Sequence, residues 1–308
     1  MKIMTSRYKG RSLGIAASLF LPLVLTAPAM AEDKPSAAAA SVPEEHYQIP
    51  RQKWTYGGLF GYFDEAQLRR GFKIYHEVCS NCHNMRLLSY RNLGEPGGPH
   101  LSKEEVEALA AEIQVADGYD DQGQPKTRPG KPSDSFQWKF KNEKEAAAAL
   151  GGAVPPDLSV MAKARTVERE FAWYAFPLIM LKDLATQYQE QGSDYIYGLL
   201  TGYSDPPAGV KVADGLYYDK AYPGHQLAMP QPLTDDAVDL GDAKKEVGDG
   251  TKYPLDQEAR DVISYLAWAA EPHMIERKKM GIWVLVYLAV LAALLFVSKK
   301  TLWRNVEH

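Results

Sequence analysis

Cysteine is the scarcest chemistry-bearing residue in this sequence: there are two in 308 positions, both inside VCSNCHN at 78–84. That count excludes a scaffold braced by several disulfides, and it excludes a zinc site built mainly from sulfur. Acidic residues are missing altogether from the first 31 positions. Runs of alternating apolar and polar residues, the mark of a half-buried strand, are scarce throughout, and there is no internal repeat. Positive charge is not in excess either. The 35 Lys and Arg stand against 39 Asp and Glu, net −4, which argues against nucleic acid as a partner. No nucleophile with its base, and no carboxylate pair, asks for a catalytic explanation.

What is present at the start is a leader. MKIMTSRYKGR carries Lys2, Arg7, Lys9 and Arg11, the apolar run LGIAASLFLPLVL follows, and Ala29-Met30-Ala31 closes with a small-x-small pattern. Residues 1–31 are expected to be a bacterial secretory signal peptide, and 32–50, with PSAAAASVP, a flexible segment. A second apolar run, Gly281 to Ser298, has 18 residues without a charge, close to the roughly 20 that cross a bilayer core as helix. Residues 277–299 are expected to be a transmembrane anchor, with 300–308 a tail. Bases flank the run on both sides, so the positive-inside rule says little. The leader decides the orientation: head 51–276 in the periplasm, one crossing of the inner membrane, C-terminus in the cytoplasm. Without leader, anchor flanks and tail, residues 32–276 hold 25 bases and 38 acids, net −13, a field suited to a basic partner.

Cys79-Ser80-Asn81-Cys82-His83 is the signature of covalent c-type haem attachment. Each thiol adds to one vinyl group, and the histidine that follows reaches the iron as proximal ligand. The competing reading, a thiol–disulfide redox pair, lacks the strand–helix context that such pairs have. In the lead-in LRRGFKIYHEVC, Leu68, Phe72, Tyr75 and Cys79 recur at helical spacing, so an apolar face delivers the cysteines; His76 lies off that stripe and reads as solvated.

A second protein ligand would close the iron and leave electron transfer as its task. Met85 is too near His83 to reach the opposite haem face. Met161 and Met180 lie in helical patterns where packing is the simpler role, and Met274 and Met280 belong to the membrane junction. Met229 stands in YPGHQLAMPQPL, which Pro223, Pro230 and Pro232 stiffen as an extended loop. His225 is its local competitor, and pattern alone leaves both open.

Several separated stretches, taken in order, resemble the cytochrome c1 family, whose members are the haem subunits of quinol–cytochrome c oxidoreductase (bc1) complexes in bacteria. They are RGFKIYHEVCSNCHNMRLLSYRNL, PPDLSVMAKAR at 155–165, LLTGYSDPPAG at 199–209, LAMPQPL at 227–233, and AWAAEPHMIERKKMG at 267–281. The resemblance implies one haem c on Cys79 and Cys82, axial ligands His83 and Met229, and a haem propionate met by Arg165. The last fits a guanidinium's capacity for bidentate pairing; the plain alternative is a solvated arginine at a helix start. It implies a fold that is mainly α, an enlarged cytochrome c-like haem domain with long loops plus one C-terminal transmembrane helix. The implied role is to pass electrons from a Rieske iron–sulfur protein, reduced through cytochrome b, to a basic cytochrome c, within a dimeric multisubunit complex in the lipid bilayer. Two other classes are a free-standing anchored electron carrier and a haem-based sensor with an open sixth position.

The sequence departs from the family in two places. Residues 166–193 are longer than expected and rich in aromatic and aliphatic side chains, so an added helical excursion packed on the head or on a neighbouring subunit is expected. An extra bracing disulfide found in some bacterial relatives is impossible here. Elsewhere, Ser102-Lys103-Glu104-Glu105 predicts a capped helix start, 117–135 a polar loop, a helix start near Ser193 with a stop at Gly202, and a last head helix from about Asp256 to the Glu271-Pro272 break. Residues 235–249, with six acids and two lysines, read as a solvated loop and as a candidate docking face for a basic cytochrome.

Overall fold

The structure is a computed structural model, and it describes residues 47–305 apart from 168, 170, 187, 189 and 248–251. The expected leader and most of the 32–50 segment lie outside the described residues. In chain order the elements are α1 (Glu65–Glu77), α2 (Lys103–Ala111), β1 (Gln114–Tyr119), β2 (Pro125–Pro129), α3 (Glu143–Ala149), α4 (Met161–Ala164), α5 (Phe176–Thr186), α6 (Gln191–Thr201), β3 (Tyr217–Tyr218), β4 (Gln226–Leu227), α7 (Leu255–Ala270) and α8 (Met274–Leu302). The strands form two separate antiparallel hairpins, and the rest is helix and loop, so the architecture is mainly α.

The helices begin where side chains supply their missing acceptors. Asp64 accepts from the N–H groups of Ala66 and Gln67 to open α1, Ser102 and Glu105 form the expected capping box of α2, and Asn142 opens α3. Gly202 ends α6, where a Cβ would sit 2.6 Å from the Gly198 carbonyl oxygen. The last head helix, α7, starts at Leu255 and ends at the Glu271-Pro272 break as expected.

The core is set by α1 crossing α7. Leu68, Phe72, Ile74 and Tyr75 from α1 meet Val262, Ile263, Tyr265 and Trp268 from α7, all buried. Gly71 permits the approach: a Cβ there would lie 2.0 Å from the Asp261 carbonyl oxygen and 2.9 Å from Tyr265 Cβ. Beside it the fully buried Asp261 accepts from Arg70 Nε at 2.6 Å, from the Tyr253 hydroxyl at 2.6 Å, and from Gln67 and Gln257 at 2.9 and 2.7 Å. Every lone pair of that carboxylate has work, the condition under which a buried charge is tolerable.

Three sequence expectations change. The polar loop at 117–135 begins as a hairpin, because Gln114–Ala116 and Tyr119 pair with Pro125–Pro129 around a turn in which Asp120 accepts from Gln122 and Gln124. The acidic stretch from 235 is not simply solvated: Val238, Leu240 and Val247 are buried, Lys244 pairs with Asp236 at 2.8 Å, and Arg70 reaches Glu246 at 2.9 Å. The 166–193 excursion does form a helix, but α5 has no buried residue, so the head, one of the two expected packing surfaces, does not cover it; the return at Tyr188 and Glu190 is tied to the head.

Gly71→Ala forces a methyl into backbone and is expected to destabilise the detergent-solubilised chain by about 2 kcal/mol or more, read as a lower midpoint in thermal unfolding. A second test concerns Glu258, which is fully buried and accepts from the Ala237 N–H at 2.8 Å. Burial, opposed by backbone donors and helped by Asp236 and Asp235, pushes its carboxyl up to about 7. Between the ordinary value and 7 the folded protein holds the extra proton, so stability falls as pH rises through that window. Glu258→Gln removes this dependence. Between pH 5 and 8 the parent is expected to lose about 1–3 kcal/mol more than the variant in urea unfolding.

Candidate haem site

At the end of α1 the chain tightens into a 3-10 turn, Cys79–Asn81. His83 N–H reaches the Cys79 carbonyl at 2.8 Å, and Ser80 and Asn81 donate side-chain bonds to the carbonyls of His76 and Glu77. Both cysteines are free and partly exposed, and Cys79 packs against the core. Trp138 Nε1 donates to the Cys82 carbonyl at 2.8 Å and fixes the far side of the turn. Burial pushes the Cys79 thiol up to about 12, and Cys82 adds to the rise. A thiol held there is the reverse of the low-pKa cysteine that disulfide exchange requires.

The PPDLS segment straps this turn. Leu158 N–H donates to the Asn84 carbonyl at 2.8 Å, Arg86 N–H to Asp157 Oδ2 at 3.1 Å, and Leu87 N–H to the Ser159 hydroxyl at 3.1 Å. His83 Nδ1 lies 2.9 Å from the Pro156 carbonyl oxygen. A carbonyl only accepts, so Nδ1 carries the proton and Nε2 keeps its lone pair, the state a metal-binding imidazole needs. Burial lowers the His83 pKa despite the Pro156 carbonyl and Asp157, which keeps the ring neutral near pH 7.

The other candidates fall in different places. Met229 is partly buried against the core two residues beyond β4, and the Tyr203 hydroxyl donates to its carbonyl at 2.9 Å. His225 sits in the turn before β4 at φ +57°, stacked on Tyr218, with Nδ1 3.1 Å from the Asp219 carbonyl oxygen. Met85 is fully buried and takes the Tyr265 hydroxyl on its sulfur at 3.4 Å, which accounts for it as packing. Met161 also packs on the core, whereas Met180, expected to pack, is 55% exposed. Arg165 is exposed and closes α4 rather than starting a helix, and it opens onto a cleft with Thr166 and Gln191. Sequence reasoning missed Tyr203, Pro156 and Trp138, which act through single hydrogen bonds that leave no periodic signal.

The donor set fits a covalently held haem: two thiols on one turn, an imidazole with Nε2 free, and a thioether on a restrained loop. Among the described residues no group of three or more His, Cys, Asp or Glu side chains gathers as a protein-only metal site. The helix α8, 29 residues long, is long and apolar enough to cross a membrane. Fold, turn and apolar helix together fit one class, the membrane-anchored c-type cytochromes. The sequence profile of the Cytochrome C1 family matches residues 54–306. The chain is 42% identical to cytochrome c1 of Blastochloris viridis, covering 88% of this chain and 93% of that one. It is 40% identical to cytochrome c1 of Rhodospirillum rubrum, with the same coverage. It is also 44% identical to a protein of Bradyrhizobium diazoefficiens named cytochrome b/c1, covering 83% of this chain but spanning only 36% of the relative's length. This chain belongs to the cytochrome c1 family. As such it is the haem-binding electron-transfer subunit of a multisubunit bc1 complex, held in the membrane by an apolar helix.

Asp157 carries two of the strap's bonds, to the N–H groups of Arg86 and Ser159. Asp157→Ala is expected to cost about 1–2 kcal/mol and to speed amide exchange at Arg86 and Ser159, measured by mass spectrometry, while exchange in α6 stays unchanged.

Proposed function

We propose that Cys79 and Cys82 hold one haem c through thioether bonds, that His83 and Met229 ligate its iron, and that Arg165 pairs with a propionate. The observation that carries this reading is the His83 ring, oriented by the Pro156 carbonyl with Nε2 free. When bound, the haem supplies a one-electron couple that no side chain here offers, and a thioether ligand raises its potential.

The chain's own part is to hold and to exclude. Pro230, Pro232 and the Tyr203 hydroxyl restrain the Met229 loop, so little disorder is left for ligation to remove. The strap keeps the His83 ring in one orientation. The chain would accept single electrons from a Rieske iron–sulfur protein, reduced when quinol is oxidised at cytochrome b, and pass them to a basic cytochrome c. The name of the Bradyrhizobium relative joins b and c1 in one protein, which supports cytochrome b as a partner. The net −13 of residues 32–276 supports steering of a basic acceptor. Quinol oxidation belongs to the complex, and no catalytic residue is assigned to this chain. The proposed organisation is signal peptide 1–31, flexible segment 32–50, haem head 51–276 in the periplasm, anchor 277–299 and cytoplasmic tail 300–308, in a two-fold complex. Orientation rests on the leader, since Arg277, Lys278 and Lys279 precede the apolar run and Lys299 and Lys300 follow it.

The test separates Met229 from His225 in the full chain, matured with haem. Met229→Leu is expected to let reduced haem bind carbon monoxide and to lower the potential by an amount on the order of 100 mV, within the ~0.8 V span that axial ligands cover. His225→Ala is expected to do neither. Carbon monoxide binding by His225→Ala but not by Met229→Leu would reverse the ligand assignment.

A further inference from the structure

The apolar excursion left uncovered by the head has a place in the fold that names its partner. It leaves and returns at one point: Thr166 donates to Gln191 Oε1 at 2.6 Å. Its returning limb is tied to the base of the head, with Arg51 stacked 3.9 Å over the Tyr188 ring and the Tyr188 hydroxyl on Asp194, which also accepts from Trp54 Nε1 at 2.8 Å. Glu190 accepts from the Gly58 N–H at 3.3 Å and lines one small cavity with Met274 and Lys278, the start of the membrane helix α8. Lys278 Nζ in turn donates to the carbonyls of Tyr56 and Gly58 at 2.9 and 2.6 Å.

A second stretch at that junction is also apolar and uncovered. The loop held by Lys278 continues as Leu59, Phe60, Gly61 and Tyr62, with Phe60 82% exposed. On the excursion Trp173 is 86% exposed, and Leu178 and Leu181 are exposed with it. At about 100° per residue, Phe176, Met180, Leu184, Leu181 and Leu178 sweep roughly 200° of α5. The half-buried residues Ala175, Ile179 and Asp183 form the opposite stripe, and Asp183 is paired with Arg169 at 2.7 Å. Eleven residues rise only about 16 Å, too little to span a bilayer. An apolar arc led by Trp and Tyr is instead the composition of a helix lying in the water–lipid boundary.

We propose that α5 and the 59–62 loop form a lipid-facing collar around the emerging end of α8, seated in the interfacial region of the bilayer that α8 crosses. The occupant is lipid because the loop and the return of the excursion are both fixed beside the first turns of the membrane helix, at Lys278 and at Glu190, and both segments carry exposed large apolar side chains. Seated this way, the head is held to the membrane by α8 and by a second, non-spanning contact.

The experiment places a nitroxide at Leu181→Cys or Phe60→Cys in the assembled complex in lipid vesicles and measures collision rates with oxygen, which enters lipid, and with a nickel chelate, which does not. Tyr119→Cys on the β1 hairpin is the aqueous reference, and Val290→Cys in mid-α8 is the lipid reference. Covalent haem at parental intensity reports that each variant folds. In the unsubstituted complex this chain should take no label, and label on this chain would count against the haem attachment proposed above rather than against the collar. Both test positions are expected to show an oxygen-to-nickel ratio at least about fivefold above that at 119 and moving towards that at 290. A ratio like that at 119 at either position overturns the collar, as does low access to both reagents, which would mean that a protein neighbour covers the patch.

Discussion

Two helices meet where neither has room for another atom. The α1–α7 crossing requires glycine at 71, because the Asp261 backbone occupies the space a side chain would need. The approach also brings Arg70 and Asp261 out of water together, and a charge so placed is stabilising only when each of its hydrogen-bonding sites is used. Tyr253, Gln67 and Gln257 complete the Asp261 carboxylate, while Glu246 takes a second edge of the Arg70 guanidinium. Burial disfavours the Arg70 charge, yet Asp261, Tyr253 and Glu246 together outweigh it and raise the guanidinium pKa above its ordinary value. A small shift at Gly71 would therefore break a polar network as well as a packed surface. That makes the crossing angle close to non-negotiable.

The candidate site inherits this rigidity. Cys79 lies two residues past the end of α1, so the direction of α1 sets where both thiols and His83 are presented. Tyr75 and Phe72, on the buried face of α1, pack on Tyr265 of α7, and Tyr265 reaches Met85 just beyond the turn. The 155–159 strap is then laid over residues 83–87 by hydrogen bonds donated from both segments. The imidazole is oriented by a backbone carbonyl rather than by a mobile side chain, which removes one source of disorder at the proposed ligand. The Met229 side is held more locally, by prolines and by Tyr203, whose neighbour Asp219 belongs to the β3–β4 hairpin region.

How legible this was in the sequence depended on whether the signal is local. Ser102 with Glu105, Gly202, and the apolar spacing in α1 each act within a turn or two of helix, and each element appears where those residues predict it. CxxCH could be read because its chemistry is carried by adjacent residues. The β1–β2 hairpin escaped because it is almost wholly exposed and its strands lack apolar alternation; it depends instead on turn bonds from Asp120. The loop from 235 was read through its acids, which hid the fact that three apolar residues among them supply the buried side. For α5 the apolar content was plain, but composition cannot say whether an apolar face is covered by its own chain. Long-range partners such as Pro156 for His83 are invisible without the fold.

The attachment of the head to its membrane helix follows a different physical logic from the core. A single surface ion pair is worth little, since water screens it and two long side chains must be ordered. At this junction the pairs are combined: Glu271 receives both Lys163 and Arg277, and the Lys278 ammonium is bound by two main-chain carbonyls instead of a mobile carboxylate. Only a few residues separate α7 from α8, and Met274 at the start of α8 is buried against the head. The anchor is thus a stalk continuous with the core rather than a swinging tether. In the proposed orientation a head fixed in this way would keep a constant height and tilt above the bilayer. The charge proposed to steer a basic acceptor would then act in a set direction, which links the crossing of α1 on α7, the stalk and the electrostatic field.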